Sequence, residues 1–262
     1  MTSGSAAPFY TRYGFARTGD REAPLTLEPY PYVCRHGALR AAIVAAAVDL
    51  VGSFFTREIA GTDFLFTTDL SVRMPCAEVP EALLARGRVL RSGRTGVTSG
   101  VELCAGDTLW AYGETSFARQ PRAADSTVTA SDLALPSVFE RHPLERPLEE
   151  EVGVEIVDAA CGEVELALRP AVLNRGVTLQ GALVALLVEC AAERLAEHTL
   201  GAPQRIAELD LRYLSTAKVG PVRSRARFVG DPSAGMIRAE LRDAGRDDRL
   251  TATALLRTLP AR

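Results

Sequence analysis

No stretch of this 262-residue chain is long and apolar enough to span a bilayer. The longest uncharged apolar runs, 41–48 and 182–188, fall far short of the roughly 20 residues a membrane helix needs. The first thirty residues lack the apolar core of a secretory leader. Charge of one sign is missing as well. Thirty Lys and Arg are interspersed with 33 Asp and Glu, a formal net charge of -3, which gives no long-range pull toward nucleic acid or a membrane surface. Five cysteines, Cys34, Cys76, Cys104, Cys161 and Cys190, are an odd number with no C-x-x-C pair. That argues against a disulfide framework or a zinc site and for free thiols in a reducing, cytoplasmic setting. The chain also has no G-x-S-x-G, no P-loop, no G-x-G-x-x-G and no H-E-x-x-H. Their absence removes serine-hydrolase, nucleotide-binding and zincin readings.

What is present is a foldable composition, 47% apolar and 24% charged, and an internal repeat at an offset near 140 residues. Residues 14–29 and 153–170 each read as strand, turn and strand and end in proline. An apolar helix follows, HGALRAAIVAAAVDLVGSFF from His36 and QGALVALLVECAAERLAEH from Gln180, with G-A-L aligned. Both are apolar nearly all round, the pattern of a helix wrapped by other structure. A strand with Asp69 and Leu70 matches one with Asp210 and Leu211, and two long strands close each half. Each half is thus an α+β unit, one helix embraced by an antiparallel sheet. The expected domains are 8–120 and 149–262, with a linker over 121–148 rich in Pro, Ser, Ala and charge.

This order resembles the hot-dog thioesterase superfamily, specifically the phenylacetate-type (PaaI-like) acyl-CoA thioesterases, twice over. The family signature is an Asn, a Gly, a His-Gly pair opening the central helix, and an acid nine positions after that His. The second half reads Asn174, Gly176, Gln180-Gly181 and Glu189, with Gln in place of His; the first reads His36-Gly37 with Ala45 at the acid position. The resemblance implies two tandem hot-dog domains paired as a pseudo-dimer, with sites shared between a helix N-terminus of one half and a helix carboxylate of the other. It implies an acyl-CoA or other acyl-thioester substrate and no cofactor. On that pairing Glu189 faces His36 and Gly37 in one complete site, and Asn174, Gln180 and Gly181 face Ala45 in a dead or binding-only site. The internal pair needs no second chain, so homo-oligomers would use outer surfaces.

Independent of family, Glu189 is the only charged residue between Gly181 and Ala192. A buried carboxylate has a task or a partner. The task is deprotonating water, or attacking the thioester directly; the partner is Arg40, Arg194 or a helix-end amide. Gly37 is the expected oxyanion donor, at the positive end of a helix. His36 either bonds substrate or caps its helix, and Asn174 either orients a carbonyl or stabilises a turn. Asp49 and Glu193 are reserve acids, and the family's water-holding Ser or Thr on the following strand is missing from 206–214.

Arginines alternate at Arg86, Arg88, Arg91 and Arg94 and at Arg223, Arg225 and Arg227; they are either phosphate ligands, Arg91 and Arg94 foremost, or a solvated sheet face. Tyr213, Trp110 and Phe117 read as packing residues. Two rivals remain: a non-catalytic acyl-CoA-binding protein, and a hot-dog dehydratase or hydratase. The second would pair its acid with a histidine, which is lacking between His142 and His198.

Overall fold

The computed structural model describes residues 9–61, 63–121, 142–174 and 176–261. Most of the expected linker, 122–141, lies outside the described residues.

Two twenty-residue helices carry the architecture, α1 (Ala41–Ala60) and α3 (Gly181–Leu200), with a short α2 (Leu148–Val152) between them. In the first half β1 (Phe15–Arg17) and β2 (Leu25–Leu27) precede α1. After it come β5 (Phe64–Arg73), β6 (Leu83–Ser92), β7 (Gly96–Ala105) and β8 (Thr108–Gln120). The second half repeats the plan with β9 (Val154–Asp158) and β10 (Glu163–Leu166) before α3. Then follow β11 (Gln204–Tyr213), β12 (Val222–Phe228), β13 (Met236–Asp243) and β14 (Arg249–Pro260). β3 (Cys34–Arg35) and β4 (Ala38–Leu39) form a small separate hairpin.

Twelve strands make one antiparallel sheet, β1-β2-β6-β7-β8-β5-β11-β14-β13-β12-β10-β9, whose halves mirror each other across the β5–β11 pair. Strand alternation puts Leu70, Val72, Leu209 and Leu211 in the core and Asp69, Arg73 and Arg212 on the other side. Both helices pack against the sheet and each other, and their apolar residues merge into one core. Each fully buried Val, Leu or Ile contributes roughly 1.5–3 kcal/mol. Helix α1 sits close on its strands because small residues meet it. A Cβ on Gly113 would lie 2.6 Å from Val48, and one on Gly87 would lie 2.8 Å from Phe55.

The halves superpose in a different register from the sequence match. His36 and Gly37 do not open the helix: they are the two turn residues of the β3–β4 hairpin, both left-handed at φ 49° and 74°. Such a two-residue turn needs positive φ at both places. Helix α1 starts four residues after Gly37, with Arg40 as N-cap. Arg40 (φ -64°, ψ 136°) corresponds to Gln180 (φ -61°, ψ 139°), and their amides bond the carbonyls of Val33 and Val172, each ending a 3-10 turn. Asp49 and Glu189 are therefore both the ninth helical residue, and Ala45 corresponds to Ala185 rather than to the acid.

The strand match shifts too. Arg73 and Arg212 are the true mates. Each donates to the carbonyl before it (Val72 and Leu211), and each pairs with an acid across the seam, Glu208 and Asp69 respectively. Bulges at Thr68 and Ala207 agree. Thr67 then corresponds to Ile206, and Met74 to Tyr213.

Candidate active site

The fold builds two related clusters at the helix N-termini: at α1 the ninth residue of α3 meets the first amides directly, and at α3 the ninth residue of α1 acts on the tyrosine bonded to the first helical carbonyl. They differ in chemistry.

At the N-terminus of α1 the first amides are those of Ala41 and Ala42. Both are taken: Glu189, reaching across from α3, accepts the Ala41 amide at 2.8 Å and the Ala42 amide at 2.9 Å, one on each carboxylate oxygen. Arg40 has no side-chain cap to offer, so Glu189 serves as the cap from another element, an anion on the positive end of the helix. The carboxylate is 1% exposed. Its pKa is held above the ordinary carboxylate range, first by burial and then by Glu193, with Arg40 and the two amides pulling it back.

Arg40, 2% exposed, pairs with Glu193 at 3.3 Å and with Glu149 of α2. Arg35 bonds Glu193 at 2.7 Å and Glu197 at 2.8 Å. His36 Nε2 lies 2.9 Å from Glu197 Oε1. Arg35, Arg40, Glu193 and Glu197 thus pair with opposite charges, and Glu189 with backbone amides, as low polarity demands. Gly37, expected as oxyanion donor, stands in the hairpin turn, and Glu189 meets the amides of Ala41 and Ala42 instead.

At the N-terminus of α3 the pattern is open. Gly181 is the first helical residue and Gln180 the N-cap. The Gln180 amide side chain donates to the carbonyls of Ala171 and Leu173, fixing the loop before the helix. Asn174 Oδ1 accepts from the amides of Gly176 and Thr178, a turn-stabilising arrangement. Among the described residues, the Gly181 and Ala182 amides meet no acceptor.

The ninth residue of α1, Asp49, is half-buried. Its Oδ1 accepts from Thr67 Oγ1 at 2.8 Å, and Oδ2 meets no donor among the described residues. Burial pushes its pKa up to about 6, against the lowering by Thr67. Tyr213, next along β11 from Arg212, which pairs with Asp69, brings its hydroxyl to the Gly181 carbonyl at 3.1 Å. Burial first, and then the negative charge of Asp49, raise the pKa of that phenol.

Arg91 and Arg94 are exposed at the β6–β7 hairpin, separated from β5 and Thr67 by β7 and β8. Arg223 and Arg225 pair with Glu165 and Glu163. With Arg227, Arg238 and Arg242 they line a groove of about 460 Å³.

Sequence reasoning missed Thr67, because the hydroxyl was sought on the strand after α3, whereas it stands on the strand after α1. Counting from the N-cap rather than from G-A-L would have aligned Asp49 with Glu189 and drawn attention to it.

The chain matches "Conserved Protein of Unknown Function with Hot dog Fold" from Alicyclobacillus acidocaldarius, with TM-score 0.58, 11% identity, and coverage of 96% of this chain and 97% of that one. It is a double hot-dog. The same arrangement covers 94% of this chain and 95% of the tesB protein MAP1729c of Mycobacterium avium subs paratuberculosis, at TM-score 0.61 and 11% identity. It also covers 94% of this chain and 95% of the acyl-CoA thioesterase II TesB2 of Mycobacterium marinum, at 0.52 and 12%. No protein-family model and no curated sequence matches the double hot-dog chain. Among its described residues no helix is long and apolar enough to cross a membrane.

Proposed function

We propose that this double hot-dog hydrolyses an acyl thioester, an acyl-CoA, at one site per chain formed by Asp49 and Thr67 of the first half and the α3 N-terminus of the second. The observation that carries this reading is the contrast between equivalent acids. Glu189 is spent on the amides of its facing helix, whereas among the described residues Asp49 Oδ2 and the Gly181 and Ala182 amides meet no partner. The name of the Mycobacterium marinum relative, acyl-CoA thioesterase II, supports the substrate class.

In this reading Thr67 and Asp49 hold a water beside the thioester carbonyl. Asp49 Oδ2 takes the water proton as the oxygen attacks, and a carboxyl pKa near 6 suits a base working around neutrality. The carbonyl oxygen, now an anion, sits on the amides of Gly181 and Ala182 at the positive helix end. Collapse expels the CoA thiolate, which recovers the proton from Asp49. Direct attack by Asp49 Oδ2, giving a mixed anhydride that water then opens, uses the same atoms. Glu189 takes the role of a structural cap, and the α1 end is the closed counterpart of the site. Asn174 and Gln180 shape the loop entering α3, and His36, Gly37, Arg91 and Arg94 stand outside the catalytic centre.

The test is thiol release from short, medium, long and aromatic acyl-CoAs by the parent, Asp49→Asn and Glu189→Gln. Asp49→Asn is expected to lose roughly 10²–10⁴-fold in kcat, and Glu189→Gln to retain turnover whenever it remains folded. Activity undiminished in Asp49→Asn would overturn the assignment. A folded but inactive Glu189→Gln would move the chemistry to the α1 end. Acyl-CoA binding with no turnover by the parent would leave a binding protein.

A further inference from the structure

We propose that Tyr213 is a positioning residue that locks the peptide plane carrying one of the two oxyanion donors; this rests on the Asp49 reading above. The argument starts from covalent geometry. The carbonyl of Gly181 and the amide N–H of Ala182 belong to the same planar peptide group, so fixing one end fixes the direction of the other. The Tyr213 hydroxyl donates to that carbonyl at 3.1 Å. The contact comes from the second half's own central strand, so a rigid sheet holds a helix end that begins with glycine, the residue with the widest backbone freedom. The tyrosine reaches that first residue at ordinary contact distance: a Cβ on Gly181 would stand 3.5 Å from the Tyr213 oxygen.

The two halves serve as an internal control. On the α1 side, where Glu189 already holds both amides, the residue corresponding to Tyr213 is Met74, which has no hydroxyl and is buried in the core. The tether exists only where the facing acid leaves the amides free. A hydrogen bond to the carbonyl also polarises the peptide group and makes its N–H a better donor. Burial and the neighbouring charge of Asp49 keep the phenol protonated far above working pH, so the tether persists while Asp49 titrates.

Tyr213→Phe removes the hydroxyl and little else. The expected result is a kcat about tenfold or more below the parent with KM within about twofold, and an acid limb of the pH profile at the same position. A second readout needs no turnover. Acyl-CoA bound to Asp49→Asn should show its thioester carbonyl stretch moved to lower wavenumber than in free acyl-CoA, and Asp49→Asn/Tyr213→Phe should restore part of that shift. If Tyr213→Phe merely lowers Tm while kcat and the carbonyl stretch stay put, the tether is structural and the proposal fails, with the Asp49 reading intact. A parent with no acyl-CoA turnover, or an Asp49→Asn variant as active as the parent, overturns both.

Discussion

Asp49 and Glu189 occupy equivalent places on equivalent helices and differ by one methylene, yet their surroundings predict opposite behaviour on substitution. Glu189→Gln leaves an amide group where a carboxylate met two N–H donors, and strips Arg40 of one nearby negative charge. The Gln NH2 would face one of those N–H groups and leave buried donors unpaired, which costs about 1–3 kcal/mol, so thermal unfolding should show Tm lowered by several degrees. Asp49→Asn should do the reverse. The Asp49 pKa is near 6 in the fold against an ordinary value of 3.8, so the folded state holds this proton more tightly than the unfolded one. Its contribution is most favourable below about pH 4, falls as pH rises through 4 to 6, and stays low above. The penalty at pH 8 is on the order of 2–3 kcal/mol, part of which Asn should recover as a raised Tm while hydrolysis is lost. The same ionisation predicts that kcat/KM of the parent rises through an acid limb near pH 6. Thr67→Val, which removes the donor that lowers this pKa, should move that limb to higher pH.

Helix beginnings decide the chemistry at the next scale. Neither long helix has a side-chain N-cap, and α1 begins against an acid of α3. The β3–β4 hairpin sets where α1 starts by inserting a tight turn between the 3-10 segment and the helix. Gly37 matters there through its φ of 74° and not through contact with substrate. Gly37→Ala should therefore cost about 1 kcal/mol of stability with thiol release unchanged, and a fall in kcat would bring Gly37 back into the site. The apolar runs, the strand-turn-strand pairs and the two long strands closing each half are legible in the sequence, because burial periodicity and turn residues report on local structure. The start of α1 is not, because G-A-L occurs in a hairpin in one half and at a helix N-terminus in the other, with no local signal separating the two.

At the scale of the molecule the β5–β11 seam joins two six-stranded halves into one sheet. It is stitched on one face by Arg73 with Asp210 at 2.9 Å and Arg212 with Asp69 at 3.0 Å. Separation would bare a ten-residue edge strand on each half and the apolar faces where α1 meets α3. Residues 9–121 or 142–261 expressed alone should consequently self-associate, and a well-folded monomer of either by light scattering would show that the seam is dispensable. The proposed site is also a product of the seam, since Asp49 and Thr67 come from one half and Gly181 and Tyr213 from the other. The sequence by itself determined the repeat, the α+β class, the buried helices and the candidate acids, because hydrophobic patterning and residue chemistry are written locally. Only the tertiary structure decided which acid caps a helix and which stays free. That outcome depends on helix register, on one methylene of reach, and on a hydroxyl and a phenol delivered by two strands more than 140 residues apart in the chain.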